Sequence, residues 1–240
     1  MLMKQKKRCN FPSILVMVAA LDEEKGIGST LAELRLYLPD SRFLVIDGKS
    51  TDKTVQAAKS QGADVVFQKG RGKGDAISFG LKSINSDFDY VVFTDADYTY
   101  PAAHILEMIE ILEANPKIGM VCGNRFNSQL HIGGMRDVFY FGNRVLSFVH
   151  DLVNGVSLHD PLTGLRLIRW DLIKNWRPES ESFDIEVELN NFVDRHGFEI
   201  AEIEIPYRER LGKKKLKIKH GVIILNRILI DFWHKGRLER

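Results

Sequence analysis

Short apolar runs at positions 14–20, 42–46, 63–67, 90–94 and 118–123 alternate with segments whose apolar residues recur at helical spacing, at 27–38, 53–61, 75–84 and 102–114. Runs of this length, bounded by polar loops, read as strands buried on both faces. Ser50-Thr51-Asp52 offers N-cap chemistry to the second helix, and Gly62 ends it. The alternation predicts an α/β fold, a mostly parallel central sheet with helices on both faces and right-handed crossovers. After residue 124 the pattern loosens. Positions 135–156 are rich in Phe, Val and Leu and read as one long helix or two. A helix is expected over 183–195, with Asp184, Glu186 and Glu188 near its start, then a strand over 199–205 stopped by Pro206, and a strongly apolar helix over 220–233. The chain divides into a basic tail (1–12), one α/β domain (13–217) and an amphipathic C-terminal helix (218–240).

Composition adds bounds rather than identity. At 240 residues, 44% hydrophobic and 28% charged, the chain suits one sizeable globular domain. The net charge of +2 conceals two basic clusters: Lys4, Lys6, Lys7 and Arg8, and then Lys213, Lys214, Lys215, Lys217 and Lys219. Such clusters suit phosphates or anionic lipid, although a solvated tail accounts equally for the first. Two cysteines, Cys9 and Cys122, exclude a disulfide framework and a cysteine metal centre, and Cys122 reads as a small core residue. The basic N-terminus followed by the 14–21 run mimics a leader, but Asp22-Glu23-Glu24 is no cleavage site, so a buried first strand is expected. No apolar run reaches the ~18 residues of a membrane span. Positions 221–233, flanked by basic residues, suit a helix lying in the membrane interface.

The fourth apolar run, Val91-Val92-Phe93-Thr94, ends in Asp95-Ala96-Asp97. Ligands of open α/β sheets bind beyond the carboxyl ends of the strands, and paired carboxylates there suit Mg²⁺ or Mn²⁺ bridging to phosphates. The loops after the first two runs, Ala20-Leu21-Asp22-Glu23-Glu24 and Asp47-Gly48-Lys49-Ser50-Thr51-Asp52, carry groups suited to a base and ribose, so three strand ends converge on one edge. Gly70-Arg71-Gly72-Lys73-Gly74 has neither Walker nor dinucleotide-binding spacing, which argues against a P-loop ATPase, while Lys73 at a helix start can still attract an anion.

The order Leu21-Asp22-Glu23-Glu24, Val45 to Asp52, Gly72-Lys73-Gly74, Asp95-Ala96-Asp97 resembles glycosyltransferase family 2, with its GT-A fold. Gly123-Asn124-Arg125-Phe126, the run from Asp160 to Arg166, and Pro206-Tyr207-Arg208 through Lys215-Leu216 are similar to the branch containing dolichyl-phosphate mannose and glucose synthases. The resemblance spans about 14–217. It implies an inverting, metal-dependent transfer of a hexose from a UDP- or GDP-linked sugar to polyprenyl (dolichyl) phosphate. The donor would lie on Ala20, Asp22, Glu23, Asp47, Lys73, Asp95 and Ala96, with Asp47 on the base or ribose and Mg²⁺ or Mn²⁺ on Asp95 and Asp97. Arg125, Arg136, Arg208 and Arg210 would hold the acceptor phosphate, and Asp97, Arg125, Arg136 and Asp160 would form the catalytic set. Asp160, Thr163 and Arg166 would shape the acceptor side. Thr99 stands where mannose synthases often carry Gln, which opens the donor to glucose or N-acetylhexosamine. Ala19, Asp22 and Lys214 also depart from the usual Pro, Asn and Ser. A lipid acceptor implies a peripheral enzyme at the cytoplasmic membrane face, with a membrane-anchoring subunit or homo-oligomer as a further partner and no nucleic acid. The alternatives are the same donor chemistry on a soluble acceptor or glycan, and a non-catalytic nucleotide-sugar-binding subunit.

Overall fold

Each of the five apolar runs becomes a strand in the computed structural model, which describes residues 11–126, 146, 149, 158–213, 215 and 218–238. They are β1 (Ile14–Ala20), β2 (Arg42–Asp47), β3 (Asp64–Phe67), β4 (Tyr90–Asp95) and β5 (Ile118–Asn124). The helices between them are α1 (Ile27–Tyr37), α2 (Thr54–Ser60), α3 (Lys73–Lys82) and α4 (His104–Ala114). The N-cap of α2 is Lys53, one residue past the Ser50–Asp52 run expected to cap it, and Asp52 Oδ1 accepts the Thr54 N–H at 2.9 Å from just outside the helix. Helix α3 begins two residues before the expected 75, which places Lys73 in its first turn.

The second half supplies β6 (Arg166–Arg169), the short helix α5 (Trp170–Ile173), α6 (Ile185–Arg195), β7 (Glu199–Glu204) and α7 (Ile218–Leu238). Among the described residues one seven-stranded sheet forms, in the order β3-β2-β1-β4-β6-β5-β7. All neighbouring pairs are parallel except those of β6, which runs antiparallel to both β4 and β5. β6 and α5 were not expected from the sequence. The 135–156 segment lies outside the described residues apart from Leu146 and Val149.

Two apolar layers sandwich the sheet. Side chains at Val16, Val18, Val45 and Val92 pack with α1, α2 and α4 on one face. Those at Leu15, Met17, Leu44 and Phe93 pack with α3, α5 and α6 on the other. Strands buried on both faces explain the continuous apolar runs. Cys122 lies fully buried in the second layer, as expected of a small core residue.

The register aligns the strand ends that matter. Ala20 pairs with Asp47, and Ala19 with Asp95, so the loops after β1, β2 and β4 open on one edge. Because β6 is reversed, Arg166 lies opposite Phe93 and Cys122, and the 158–165 loop that precedes it emerges at that same edge. Helix α7 packs Ile224 and Ile228 against Val187, with Leu146, Val149, Leu162 and Phe183 around them. No helix among the described residues is long and apolar enough to cross a membrane.

Candidate active site

The edge where these loops meet encloses a cavity of about 680 Å³ lined by Ala20, Glu23, Lys73, Asp95, Ala96, Asp97, Arg125 and Arg210. Eight residues singled out by sequence are therefore brought together.

Asp95 ends β4. Its Oδ1 lies 2.7 Å from Lys73 Nζ, and the same ammonium lies 2.7 Å from Glu186 Oε1. Burial alone would raise the Asp95 carboxyl, but the Lys73 charge outweighs it and holds the group below the usual carboxylate range. Burial likewise opposes the Lys73 charge, and Asp95 and Glu186 together keep the ammonium well above its ordinary value. Gly164 comes so close that a Cβ there would sit 2.5 Å from Asp95 Oδ2, so the loop before β6 is pressed onto this carboxylate.

Asp97 is buried at 1% exposure. Tyr98 takes φ +67°, turning the chain so that Thr99 can donate its N–H (3.1 Å) and hydroxyl (2.6 Å) to Asp97 Oδ1. Oδ2 faces Arg210 Nη1 at 2.6 Å. Burial, then the Asp95 charge, pushes the Asp97 carboxyl up, with Arg210 opposing. Arg210 also pairs with Glu23. Glu23 is raised to about 7, chiefly by burial, and its Oε2 is buried without a hydrogen-bond partner among the described residues.

Two carboxylates that feel each other's charge, each facing a cation, suit a divalent ion. No group of three or more His, Cys, Asp or Glu among the described residues could hold a metal alone. Mg²⁺ is normally held by one or two carboxylates together with substrate phosphates and water, so Asp95 and Asp97 fit a site that the substrate completes.

Arg125 is fixed from behind. Asp160, fully buried, accepts from its Nε at 2.5 Å, its Nη2 at 2.7 Å and its backbone N–H at 3.1 Å. Among the described residues Nη1 makes a single long contact, 3.4 Å to the Tyr100 hydroxyl. Tyr207 lies under the guanidinium at 5.3 Å. Glu202 in turn accepts the Asp160 N–H at 2.8 Å, so β7 anchors the loop that grips Arg125.

Other expected residues are placed elsewhere. Asp47 is fully buried, does not line the cavity, and accepts from the Ser50 N–H (2.9 Å) and hydroxyl (2.6 Å), shaping its own loop. Asp22, at φ +49°, accepts the Thr51 N–H at 2.7 Å and ties the two strand-end loops together. Arg208 points its guanidinium at Glu33 of α1, with Nη2 2.9 Å from Oε1, and stacks on Tyr98 rather than lining the cavity. Arg166 is 1% exposed inside the sheet, donating to Asn190 Oδ1 at 2.5 Å and the Pro161 carbonyl at 2.7 Å, which makes it a strut. Arg136 and the basic 4–8 cluster lie outside the described residues. Sequence reasoning assigned no site role to Tyr100, Tyr207 or Glu186 and named Lys215 within a basic cluster suited to phosphates or anionic lipid; all four line the cavity.

Fold and site together define a mostly parallel α/β sheet whose carboxyl edge gathers carboxylates, guanidiniums and an ammonium into one cavity. The family described as Glycosyl transferase family 2 matches residues 15–177, and the chain belongs to it. The Dolichyl-phosphate hexose transferase of Haloferax volcanii is 31% identical over 232 residues, covering 95% of this chain and 97% of that protein. Glycosyltransferase AglJ of the same organism is 28% identical over 201 residues, covering 82% of this chain and 64% of its own length. A crystal structure of glucosyl-3-phosphoglycerate synthase from Mycobacterium tuberculosis, in complex with Mn²⁺, UDP-glucose and phosphoglyceric acid, superposes with a TM-score of 0.74 at 20% identity, over 92% of this chain and 80% of that one. At that identity the likeness bears on the fold, which is GT-A. The protein is a glycosyltransferase.

Proposed function

We propose that this enzyme transfers a hexose from a nucleotide-diphosphate sugar, UDP- or GDP-linked, to a polyprenyl phosphate such as dolichyl phosphate, inverting the anomeric centre in one displacement. The observation that carries this reading is the meeting of Asp95 and Asp97 with Arg125 and Arg210 in one cavity, which provides for two phosphorylated substrates side by side. The 31% identity to a dolichyl-phosphate hexose transferase supports the acceptor.

Asp95 and Asp97 would hold Mg²⁺ or Mn²⁺ against the donor diphosphate. When bound, the ion supplies Lewis-acid stabilisation of the charge gathering on the departing nucleotide. Lys73, which bridges Asp95 and Glu186, and Arg210, which faces Asp97, would place positive charge beside the diphosphate. Arg125, held by Asp160, presents Nη1 to the acceptor phosphate. That phosphate is ionised at neutral pH. Its oxygen forms the new bond to the anomeric carbon as the bond to the diphosphate oxygen breaks, and the electron pair leaves with the nucleotide. No side chain has to take a proton, so the protein's contribution is alignment and charge.

Reaching a bilayer-borne acceptor requires a peripheral membrane contact, which we assign to α7 at the cytoplasmic face. Val222 (68% exposed), Ile223, Leu225, Leu229 and Ile230 are exposed on this helix, while its Ile224 and His220 line the cavity. Pure protein is to be incubated with labelled UDP-glucose or GDP-mannose, Mn²⁺ and vesicles containing dolichyl phosphate. Label entering lipid, lost on chelation or with Asp97→Asn, is the expected result. Transfer to 3-phosphoglycerate without lipid would replace the acceptor assignment, and donor binding without any transfer would favour a non-catalytic subunit.

A further inference from the structure

Glu186 is left over by the chemistry described so far. It is the second residue of α6, only 6% exposed, and it lines the same cavity as Asp95 and Asp97. Its Oε1 is engaged by Lys73 at 2.7 Å. Its Oε2 is buried and has no hydrogen-bond partner among the described residues. A buried acceptor left unsatisfied is costly, so such an atom is expected to find its partner in a ligand.

The character of that ligand follows from the carboxylate. Ionised, it only accepts hydrogen bonds, so it excludes a phosphate oxygen and selects an O–H or N–H group. Lys73 bridges Glu186 to Asp95 through two 2.7 Å contacts, so the carboxylate stands one ammonium away from the diphosphate anchor. Two neutral, hydroxyl-bearing groups flank the diphosphate of a nucleotide sugar, the ribose and the hexose. The loops after β1 and β2, which also line the cavity, suit the ribose, so the hexose is left for Glu186. Titration with the nucleoside diphosphate alone separates the two. We propose that Glu186 accepts a hydrogen bond from a hydroxyl of the donor hexose through Oε2, making it a specificity-determining residue. The assignment rests on the donor reading given above. Lys73 fixes the rotamer by holding Oε1, so the free oxygen is preorganised before the donor arrives.

The test is a titration, with Mn²⁺ present, of the unmutated protein, Glu186→Gln and Glu186→Asp. The ligands are UDP and GDP alone, then UDP-glucose, GDP-mannose and the analogues of each lacking one sugar hydroxyl. Glu186→Gln is expected to bind the nucleoside diphosphate within about twofold of the unmutated protein and the matching nucleotide sugar about 10- to 100-fold more weakly, the range for a hydrogen bond to a charged group. One deoxy analogue should bind the unmutated protein more weakly by a similar factor, and that discrimination should collapse in Glu186→Gln. The deoxy series on the unmutated protein needs no variant and stands if a variant folds poorly. Equal weakening of nucleoside diphosphate and nucleotide sugar would reduce Glu186 to a brace for Lys73 and overturn the assignment. So would a set of deoxy analogues that all bind like their parents. Failure of the unmutated protein to bind any nucleotide sugar would overturn the donor reading itself.

Discussion

Arg125 depends on Asp160, since a buried guanidinium is tolerated only when paired and three of its hydrogen bonds end on that one carboxylate. Removing one partner of such a pair typically costs about 3–5 kcal/mol, and a misplaced substrate-aligning group can cost about 100-fold in rate. Asp160→Ala is therefore expected to lower unfolding free energy by about 3–5 kcal/mol and turnover by about 100-fold, read by denaturant unfolding and by transfer assay. Glu23 gives a pH signature. Its folded value of about 7 exceeds the ordinary 4.5 because of burial, so the folded state holds this proton more tightly than the unfolded chain does. The stability linked to Glu23 is fully present below about pH 4.5 and declines as pH rises to about 7. Metal-free protein should lose stability across that window and Glu23→Gln should lose less, measured by guanidinium unfolding at several pH values. An unchanged slope in the variant would count against the burial argument. At this scale legibility follows local pattern. Asp95 and Asp97 were readable because their apolar-to-acidic switch falls at a strand end in line with two other polar strand-end loops; alone it would pass for a solvated turn. Glu186 was not, because an acid at every second position of 184–188 looks like a solvated helix start. Arg208 and Arg210 share a residue type, but only the second reaches the cavity, a difference of side-chain direction in an irregular segment that carries no periodic signal.

The elements divide in the same way. β1, β2, β4 and β5 were visible because burial on both faces writes itself as a continuous apolar run, whereas β3 lies at the sheet edge with Asp64 and Phe67 exposed and is marked by its short apolar run alone. β6 escaped because only Leu167 and Ile168 are apolar between Arg166 and Arg169, and both arginines are spent on buried contacts that sequence cannot distinguish from a polar loop. Helix α7 reads as apolar, but apolarity alone does not separate the face that docks from the face that is exposed. Ile224 and Ile228 are buried at 4% and 0%, whereas Val222 and Leu229 are exposed at 68% and 43%. Two opposite outcomes follow. Val222→Asp with Leu229→Asp should leave stability within about 0.5 kcal/mol per site and abolish sedimentation with anionic vesicles. Ile228→Ala should leave vesicle binding of the folded fraction intact and cost about 2–4 kcal/mol of stability. Vesicle binding that survives both aspartates would move the membrane contact away from this face. Deleting 218–240 is a poorer test, because it also removes cavity-lining side chains at His220 and Ile224.

At the scale of the whole molecule, the start of α3 and the segment before α6 meet at a seam between stretches far apart in sequence. Gly74 of α3 donates its N–H to the Glu181 carbonyl at 3.1 Å, and Asp75 donates to the same oxygen at 3.3 Å. Glu188 holds that segment from the other side by accepting the Glu179 and Ser180 N–H groups at 2.8 and 2.7 Å. Arg227 of α7 reaches Glu188 at 3.5 Å and Glu179 at 3.3 Å, so the C-terminal helix is joined to the start of α3 through one short stretch of backbone. No periodicity records such a contact, since it depends on two chains of atoms passing within van der Waals distance a hundred residues apart. Gly74 is what permits it: a Cβ would lie 2.0 Å from the Ser180 carbonyl oxygen, and backbone cannot yield as a flexible side chain would. Gly74→Ala should push the 179–182 segment away from α3 and lengthen the Lys73–Glu186 pair that spans the same seam. The expected result is a folded protein that binds nucleotide sugar at least about 10-fold more weakly, a loss of about 1.4 kcal/mol, while Gly28→Ala, where a Cβ meets nothing within 4 Å, leaves binding unchanged. Calorimetric titration of both variants checks it, and equal affinities would mean that the seam does not shape the donor site.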